Sequence, residues 1–191
     1  MKKITRCSWC GDDPLYVKYH DEEWGRGYED EKKMFEFLVL ESAQAGLSWI
    51  TILRKRENYR KAFANFNAKK VAAFTEKDVE RLLADPGIVR NRLKINAAIG
   101  NAQKFLEIQK EFGSFGKYLL SFFPDNKPIV NHWKTLPEIP PRTELSDRIS
   151  AAMKKRGFKF FGSTIAYSHL QAVGLINDHI EDCDFKGEIR S

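Results

Sequence analysis

The sequence predicts an all-α fold on three observations. Apolar residues recur at helical spacing, as Met34, Phe35, Phe37, Leu38 and Leu40 in one run and Leu93, Ile95, Ala98, Ile99, Ala102, Phe105 and Leu106 in another. Alternating β-branched runs are nearly absent. Residues that start or stop helices stand at the ends of the apolar runs.

The elements follow in chain order. Residues 1–25 are dense in Cys7, Trp9, Cys10, Tyr16, Tyr19, His20 and Trp24, at spacings that suit neither a long helix nor a strand. They read as a loop with one short helix over 14–20. A helix over 30–45 comes next. Gly46 offers its stop and Ser48 a cap for the following helix, over 49–63. That helix carries Arg54, Lys55, Arg56, Arg60 and Lys61, mostly on its outer face. Asn67 caps a short helix over 68–74. Thr75 starts another, to about 84, with Asp78 three residues on as an acidic variant of the capping box. A turn at Asp85-Pro86-Gly87 leads into a long helix over 91–112, whose inner face is the second apolar run. Ser114 caps a helix to 123. Residues 124–145 hold five of the seven prolines and read as an extended loop over the body. Ser146 caps a helix that stops at Gly157, and Ser163 caps the last one, over 164–175. A tail with His179 and Cys183 follows.

Length and composition bound the function. At 191 residues the chain is one domain, and 42% hydrophobic content suffices for a sizeable core. No apolar run reaches the length of a membrane span, and no signal-peptide segment follows the basic start, so no membrane partner and a cytoplasmic location are expected. Three cysteines without a secretory signal disfavour a disulfide framework and leave metal binding open. A formal net charge of +6 favours a polyanionic partner.

The chain is organised around Leu40-Glu41-Ser42-Ala43-Gln44-Ala45-Gly46-Leu47-Ser48-Trp49. A carboxylate at the end of an apolar run is followed by an amide, a glycine turn and an indole. A pocket for a flat heterocycle needs an acceptor for ring N–H groups, an amide for the edge and aromatic faces for stacking. The plainer alternative is a helix–turn–helix corner with a surface glutamate. The other aromatics, Trp9, Tyr16, Tyr19 and Trp24, are core residues or, with Trp49, a cage for a cationic or flat ligand.

Two further constellations carry chemistry. Residues 82–94 have the pattern of a helix–hairpin–helix: a Pro-Gly turn exposes backbone N–H groups at a helix N-terminus, where a phosphate oxygen can sit, with Arg90, Arg92 and Lys94 in or beside the first turn. The usual second glycine is replaced by Val89, and an ordinary αα-hairpin is the alternative. At the two ends, Cys7 and Cys10 form a C-x2-C pair, His20 follows, and His179 and Cys183 form an H-x3-C pair. Cys7 or Cys10, with His20, His179 and Cys183, would satisfy a tetrahedral zinc.

Together these segments resemble the DNA-3-methyladenine glycosylase I family. The resemblance rests on Cys7-x-Trp9, Asp13-Pro14-Leu15-Tyr16, Tyr19-His20-Asp21-x-Glu23-Trp24-Gly25, Leu40-Glu41-x-x-Gln44-Ala45-Gly46-Leu47-Ser48-Trp49, Arg56-Glu57-Asn58-Tyr59-Arg60, Lys154-Lys155-Arg156-Gly157-Phe158-Lys159-Phe160 and Asn177-Asp178-His179. It covers nearly the whole chain. It implies a helix–hairpin–helix glycosylase fold with one structural zinc joining the termini, so that segments 1–29 and 146–191 form a stapled subdomain around a helical body, 30–145, within a single domain 1–191. The implied ligands are Cys7, His20, His179 and Cys183. Cys7 is preferred to Cys10 because it belongs to the matching motif. The implied base pocket is Trp9, Tyr16, Tyr19, Glu41 and Trp49. Gly46 and Leu47 match the turn that enters the DNA stack, and Gly87, with Arg90 and Lys94 beside it, matches the phosphate-binding hairpin.

The implied reaction is hydrolysis of the N-glycosidic bond of 3-methyladenine in alkylated duplex DNA, giving free base and an abasic site. Alkylation makes the base cationic and so activates it as a leaving group; positioning and electrostatics can then complete the catalysis without a strong general acid. Glu41 would accept from the base's N–H edge and favour its cationic form. Helix 91–112 offers only Glu107 and Glu111 near its end as partners for a sugar cation, and no lysine stands at an evident nucleophile position, so no lyase step is expected. The chain is expected to be a monomer. A non-enzymatic, zinc-stapled DNA-binding domain would share the charge, hairpin and metal but has no need of the carboxylate–aromatic pocket. A small-molecule binding protein leaves the basic hairpin unexplained.

Overall fold

The computed structural model describes residues 4–187, so residues 1–3 and 188–191 of the terminal segments lie outside the described residues. The expected helical class holds. Among the described residues the α-helices are α1 (Pro14–Glu22), α2 (Glu31–Gln44), α3 (Trp49–Ala62), α4 (Ala68–Ala72), α5 (Glu76–Ala84), α6 (Arg92–Phe112), α7 (Phe115–Leu120), α8 (Glu144–Lys155) and α9 (Ser163–Ala172).

The core is built on α2. Every residue from Met34 to Ala43 is buried, including Glu36, Glu41 and Ser42. A helix buried all round its circumference is a central one rather than a surface one, and α2 packs against α3, α6, α7 and α9. Asp30 starts it, its carboxylate accepting from the N–H groups of Lys32 and Lys33. Arg56 departs from the outer-face expectation for α3. Its guanidinium is largely buried, bonded to Glu36 at 2.8 Å and to Glu23 at 2.7 Å, and with Arg60 it neutralises the buried Glu36.

Four local expectations are corrected. Leu93 is 69% exposed and does not belong to the inner face of α6, which Ile95, Ala98, Ala102 and Phe105 provide. Ser48 precedes α3 without capping it, its hydroxyl lying 2.7 Å from that of Thr51. Thr143, not Ser146, caps α8; Ser146 is the third helical residue and completes the capping box. Gly162 stands at the cap position of α9, and Ser163 inside the helix meets Ser146 through a 2.8 Å hydroxyl contact.

The described chain has one small departure from an all-helical fold. The proline-rich loop carries β1 (Ile129–Val130), which pairs in parallel with β2 (Ile176–Asn177). That pairing fastens the loop to the C-terminal segment. The N-terminal segment is fastened there as well. Gly25 N donates to Ala172 O at 3.1 Å, and the approach is so close that a Cβ at Gly174 would overlap the Gly25 carbonyl. With φ at +83°, Gly174 has two reasons to be glycine. Thr5 and Asp184 add two further bonds between the ends.

Candidate active site

Glu41 lies on the cavity side of α2, one turn after Phe37 and three residues before Gln44. Its carboxyl is 2% exposed, and its Oε2 has no hydrogen-bond partner among the described residues. Burial pushes its pKa well above the usual carboxylate range. Glu41 and Gln44 border a cavity of about 350 Å³. The other polar orphan on this cavity is the Trp49 indole N–H, at the start of α3. A buried polar group left without a partner costs roughly 1–3 kcal/mol. An acceptor and a donor held in that state on one cavity are groups that a polar ligand would satisfy.

The walls are aromatic. Trp49 stands 5.5 Å from Tyr19 and 6.2 Å from Phe37, ring centroid to centroid, the latter pair stacked. Trp9 packs on Tyr16 at 5.1 Å and on Trp24 at 4.9 Å. The short N-terminal helix therefore supplies Tyr16 and Tyr19, and the loop before it supplies Trp9. Trp9, Tyr16, Tyr19, Glu41 and Trp49, the five pocket residues expected, all border the one cavity.

The sequence reading misses the opposite wall. Leu136 and Ile139 come from the proline-rich loop, and Ser168 and Gln171 from α9. Gln171 is held by Asp178, a fully buried carboxylate with four donors: Asn131 Nδ2 and Trp133 Nε1, each at 2.7 Å from Oδ1, and Tyr167 OH at 2.5 Å and Gln171 Nε2 at 2.6 Å from Oδ2. An ionised carboxylate only accepts, so the Gln171 amide must turn its NH2 toward Asp178. Asp178 thus ties the loop wall to α9. No local pattern signals this, since the donors come from positions 131 to 171.

The terminal cysteines and histidines also converge. The ligand atoms of Cys7, His20 and Cys183 lie within 4.8 Å of one another, and His20 Nε2 is 3.6 Å from Cys183 Sγ. Asp21 takes His20 Nδ1 at 2.7 Å and is itself gripped by Arg6. His179 stands just outside this trio, its ring 5.2 Å from that of His20. Asn177 takes its Nδ1 at 2.9 Å, and its Nε2 is buried without a hydrogen-bond partner among the described residues. Burial holds His179 in its neutral form, with its pKa down at about 4. A hydrogen bond between the two cysteines pulls the Cys183 thiol down and pushes that of Cys7 up. Cys10 is turned away, donating to the Cys7 carbonyl at 3.2 Å.

α5 and α6 flank the turn that carries Gly87. Arg90 is exposed there. Arg92 is paired with Glu76 and Glu80. The Lys94 ammonium donates to the carbonyls of Ala43 and Ala45. A Cβ on Gly87 would stand 2.8 Å from the side chain of Asn58, so its glycine has a packing reason within the protein. Gly46, with φ at +81°, turns the chain after α2 and leaves Leu47 41% exposed.

The helical body carries an aromatic, carboxylate-bearing cavity whose lining has the chemistry of a site for a flat heterocycle. The chain belongs to the methyladenine glycosylase family, whose profile matches residues 9–187. It is 53% identical over 180 residues to DNA-3-methyladenine glycosylase 1 of Escherichia coli K12, covering 94% of this chain and 96% of that one. It is 44% identical over 182 residues to DNA-3-methyladenine glycosylase of Haemophilus influenzae, covering 95% and 98%. Among solved structures, 3-methyladenine DNA glycosylase I of Staphylococcus aureus, described for its recognition of 3-methyladenine, superposes with a TM-score of 0.92 at 38% identity, covering 98% and 99%.

Proposed function

We propose that the protein is a monofunctional DNA-repair glycosylase that extrudes 3-methyladenine from alkylated duplex DNA and hydrolyses its N-glycosidic bond. The observation that carries this reading is the Glu41 carboxyl, buried on an aromatic cavity with one oxygen unpartnered. The S. aureus relative's recognition of 3-methyladenine supports the choice of base.

The chemistry follows from the charge on the substrate. The N3-methylated base is already cationic in DNA, so the glycosidic bond breaks without a strong general acid. A cationic base opposes the burial that raises the Glu41 pKa, so the carboxyl ionises against it, accepts from the base's N–H edge and favours the cation. Trp9, Tyr16, Tyr19 and Trp49 supply apolar faces and cation–π attraction. An unmodified adenine lacks the charge and gains little from this pocket, so selectivity follows from the same interaction that promotes departure.

Backbone contacts are assigned to the hairpin at Gly87 with Arg90, and Lys94 belongs to the same hairpin. Gly46 and Leu47 are assigned to the gap left by the extruded base, since an exposed leucine on a tight turn suits insertion into a base stack. Duplex DNA is the partner, free 3-methyladenine a product, and the protein acts as a monomer. No described helix is long and apolar enough to cross a membrane, and all three cysteines are free, which suits the cytoplasm.

One structural zinc is assigned to Cys7, His20, His179 and Cys183. The donor set fits this ion: two sulfurs and two imidazoles, with Asp21 and Asn177 occupying the Nδ1 of each histidine and so leaving Nε2 as the ligand atom. Four protein ligands leave no place for a metal-bound water, so the ion's role is to join segments 1–29 and 146–191 around the body.

The test is incubation of the protein with alkylated duplex DNA and chromatography of the released bases. Release of 3-methyladenine with intact abasic strands is expected. No release overturns the reading, and strand cleavage at the abasic site overturns its monofunctional part.

A further inference from the structure

Lys94 bonds to two carbonyls far away in sequence. Its ammonium donates to Ala43 O at 2.9 Å and to Ala45 O at 2.7 Å. Lys94 lies in the first turn of α6, directly after the hairpin turn. Ala43 and Ala45 close the C-terminal end of α2, where carbonyls lack intrahelical donors and the helix dipole is negative. Gln44, between them, borders the base cavity. Gly46 and the exposed Leu47 follow immediately.

The hairpin turn is braced from α3 as well. Val89 N donates to Tyr59 OH at 3.1 Å, and Lys55 Nζ donates to Pro86 O at 3.1 Å. Those ties hold the turn to the body. The Lys94 tie instead runs from the hairpin to the rim of the cavity. Two of its three N–H donors are engaged in it, and the half-buried side chain lines a small cleft with Val39, Ala43 and Ile95.

We infer that Lys94 is a positioning residue, which sets the spacing between the hairpin that grips the DNA backbone and the Gln44–Leu47 turn that shapes the cavity rim, and is not itself a phosphate ligand. This inference rests on the glycosylase reading above. A phosphate held at Gly87 and a base held at Glu41 belong to neighbouring parts of one strand. A rigid link between their sites fixes how far the nucleotide must swing out. Misplacement of a reacting group by about 1 Å is enough to cost roughly 100-fold in rate.

Two substitutions test it. Lys94→Met keeps most of the stem and removes both bonds; Lys94→Arg keeps the charge and the donors. Three quantities are measured: single-turnover release of 3-methyladenine from duplex DNA, the salt dependence of DNA affinity, and affinity for free 3-methyladenine. Lys94→Met is expected to slow release roughly 10- to 100-fold, with salt slope and free-base affinity unchanged, and Lys94→Arg to recover much of the rate. A salt slope lowered by about 0.9 would identify a phosphate contact and overturn the inference. So would equal losses of free-base affinity and release, which mark a merely structural cap. Wild-type protein that releases base while Lys94→Met matches it overturns this inference alone; wild-type protein that releases none overturns the glycosylase reading and this inference with it.

Discussion

His20 Nε2 and Cys183 Sγ stand 3.6 Å apart although 163 positions separate them in the chain. Between those positions lies almost the whole helical body. The contact brings the segment bearing Trp9, Tyr16 and Tyr19 to the C-terminal tail.

Purified protein should therefore contain one zinc per chain by metal analysis. Chelator or Cys183→Ser should lower the melting temperature, by about 2–4 °C for each kcal/mol of stability removed. Activity should fall with it, through disorder of the N-terminal wall. Cys7→Ser should lose the metal and Cys10→Ser retain it, because the Cys10 thiol donates to the Cys7 main-chain carbonyl and is not among the converging side-chain atoms. The reverse outcome would exchange the two cysteines, and metal-free protein of normal stability would remove the staple.

Glu41→Gln should separate stability from activity. A carboxyl whose pKa is raised by folding makes the native state bind more protons than the unfolded one. Stability from this group is then complete below the unfolded value, near 4.3, and is lost as pH rises toward the native value. Glutamine removes that loss, so the variant should melt higher at neutral pH and show a flatter pH profile. Release of 3-methyladenine should nevertheless fall by about 10- to 150-fold, the equivalent of a charge-assisted hydrogen bond of roughly 1.5–3 kcal/mol. A variant that is both less stable and fully active contradicts both assignments.

Trp49→Ala should weaken affinity for free 3-methyladenine, followed by fluorescence or calorimetry. The indole is only half-buried and its N–H has no partner, so stability should drop less than the 3–5 kcal/mol typical of a core tryptophan. A full core-sized loss with unchanged base affinity would return Trp49 to the core.

On the DNA side, affinity should fall steeply with salt, and Arg90→Ala should reduce the slope by about 0.9 for each phosphate that the arginine neutralises. Gly87→Ala should also cost stability, about 1–3 kcal/mol, because its Cβ meets Asn58 as well as any bound phosphate. Asn58→Gly in the same chain removes both Asn58 atoms that the alanine would meet and should restore part of the stability. DNA affinity that recovers fully along with it would show that the alanine disturbed packing and not the phosphate.

The helices are legible where a short-range pattern and a cap coincide. Asp78 bonding back to Thr75, Asn67 capping α4 and the stop at Gly46 all follow from residues within one turn of each other. Misreadings fall where two candidate caps compete within a few residues, as Thr143 does with Ser146, since only the hydroxyl that meets a free N–H decides. Spacing places Leu93 inside, yet it sits beside the exposed start of α6, where one position of rotation separates core from solvent.

The sequence by itself determined the helical class, the carboxylate–aromatic character of the pocket and the presence of cysteines and histidines near both ends, because each depends on residue type and local order. Only the tertiary structure decided which groups meet. It brought Cys7 rather than Cys10 beside His20 and Cys183, held Gln171 at the cavity through Asp178, buried Arg56 beside Glu36, and turned Lys94 from the hairpin to the end of α2. Those pairings join elements tens of residues apart. Their geometry is set by how the helices pack and by the requirement that buried charges and carbonyls find partners, which no window of neighbouring residues contains.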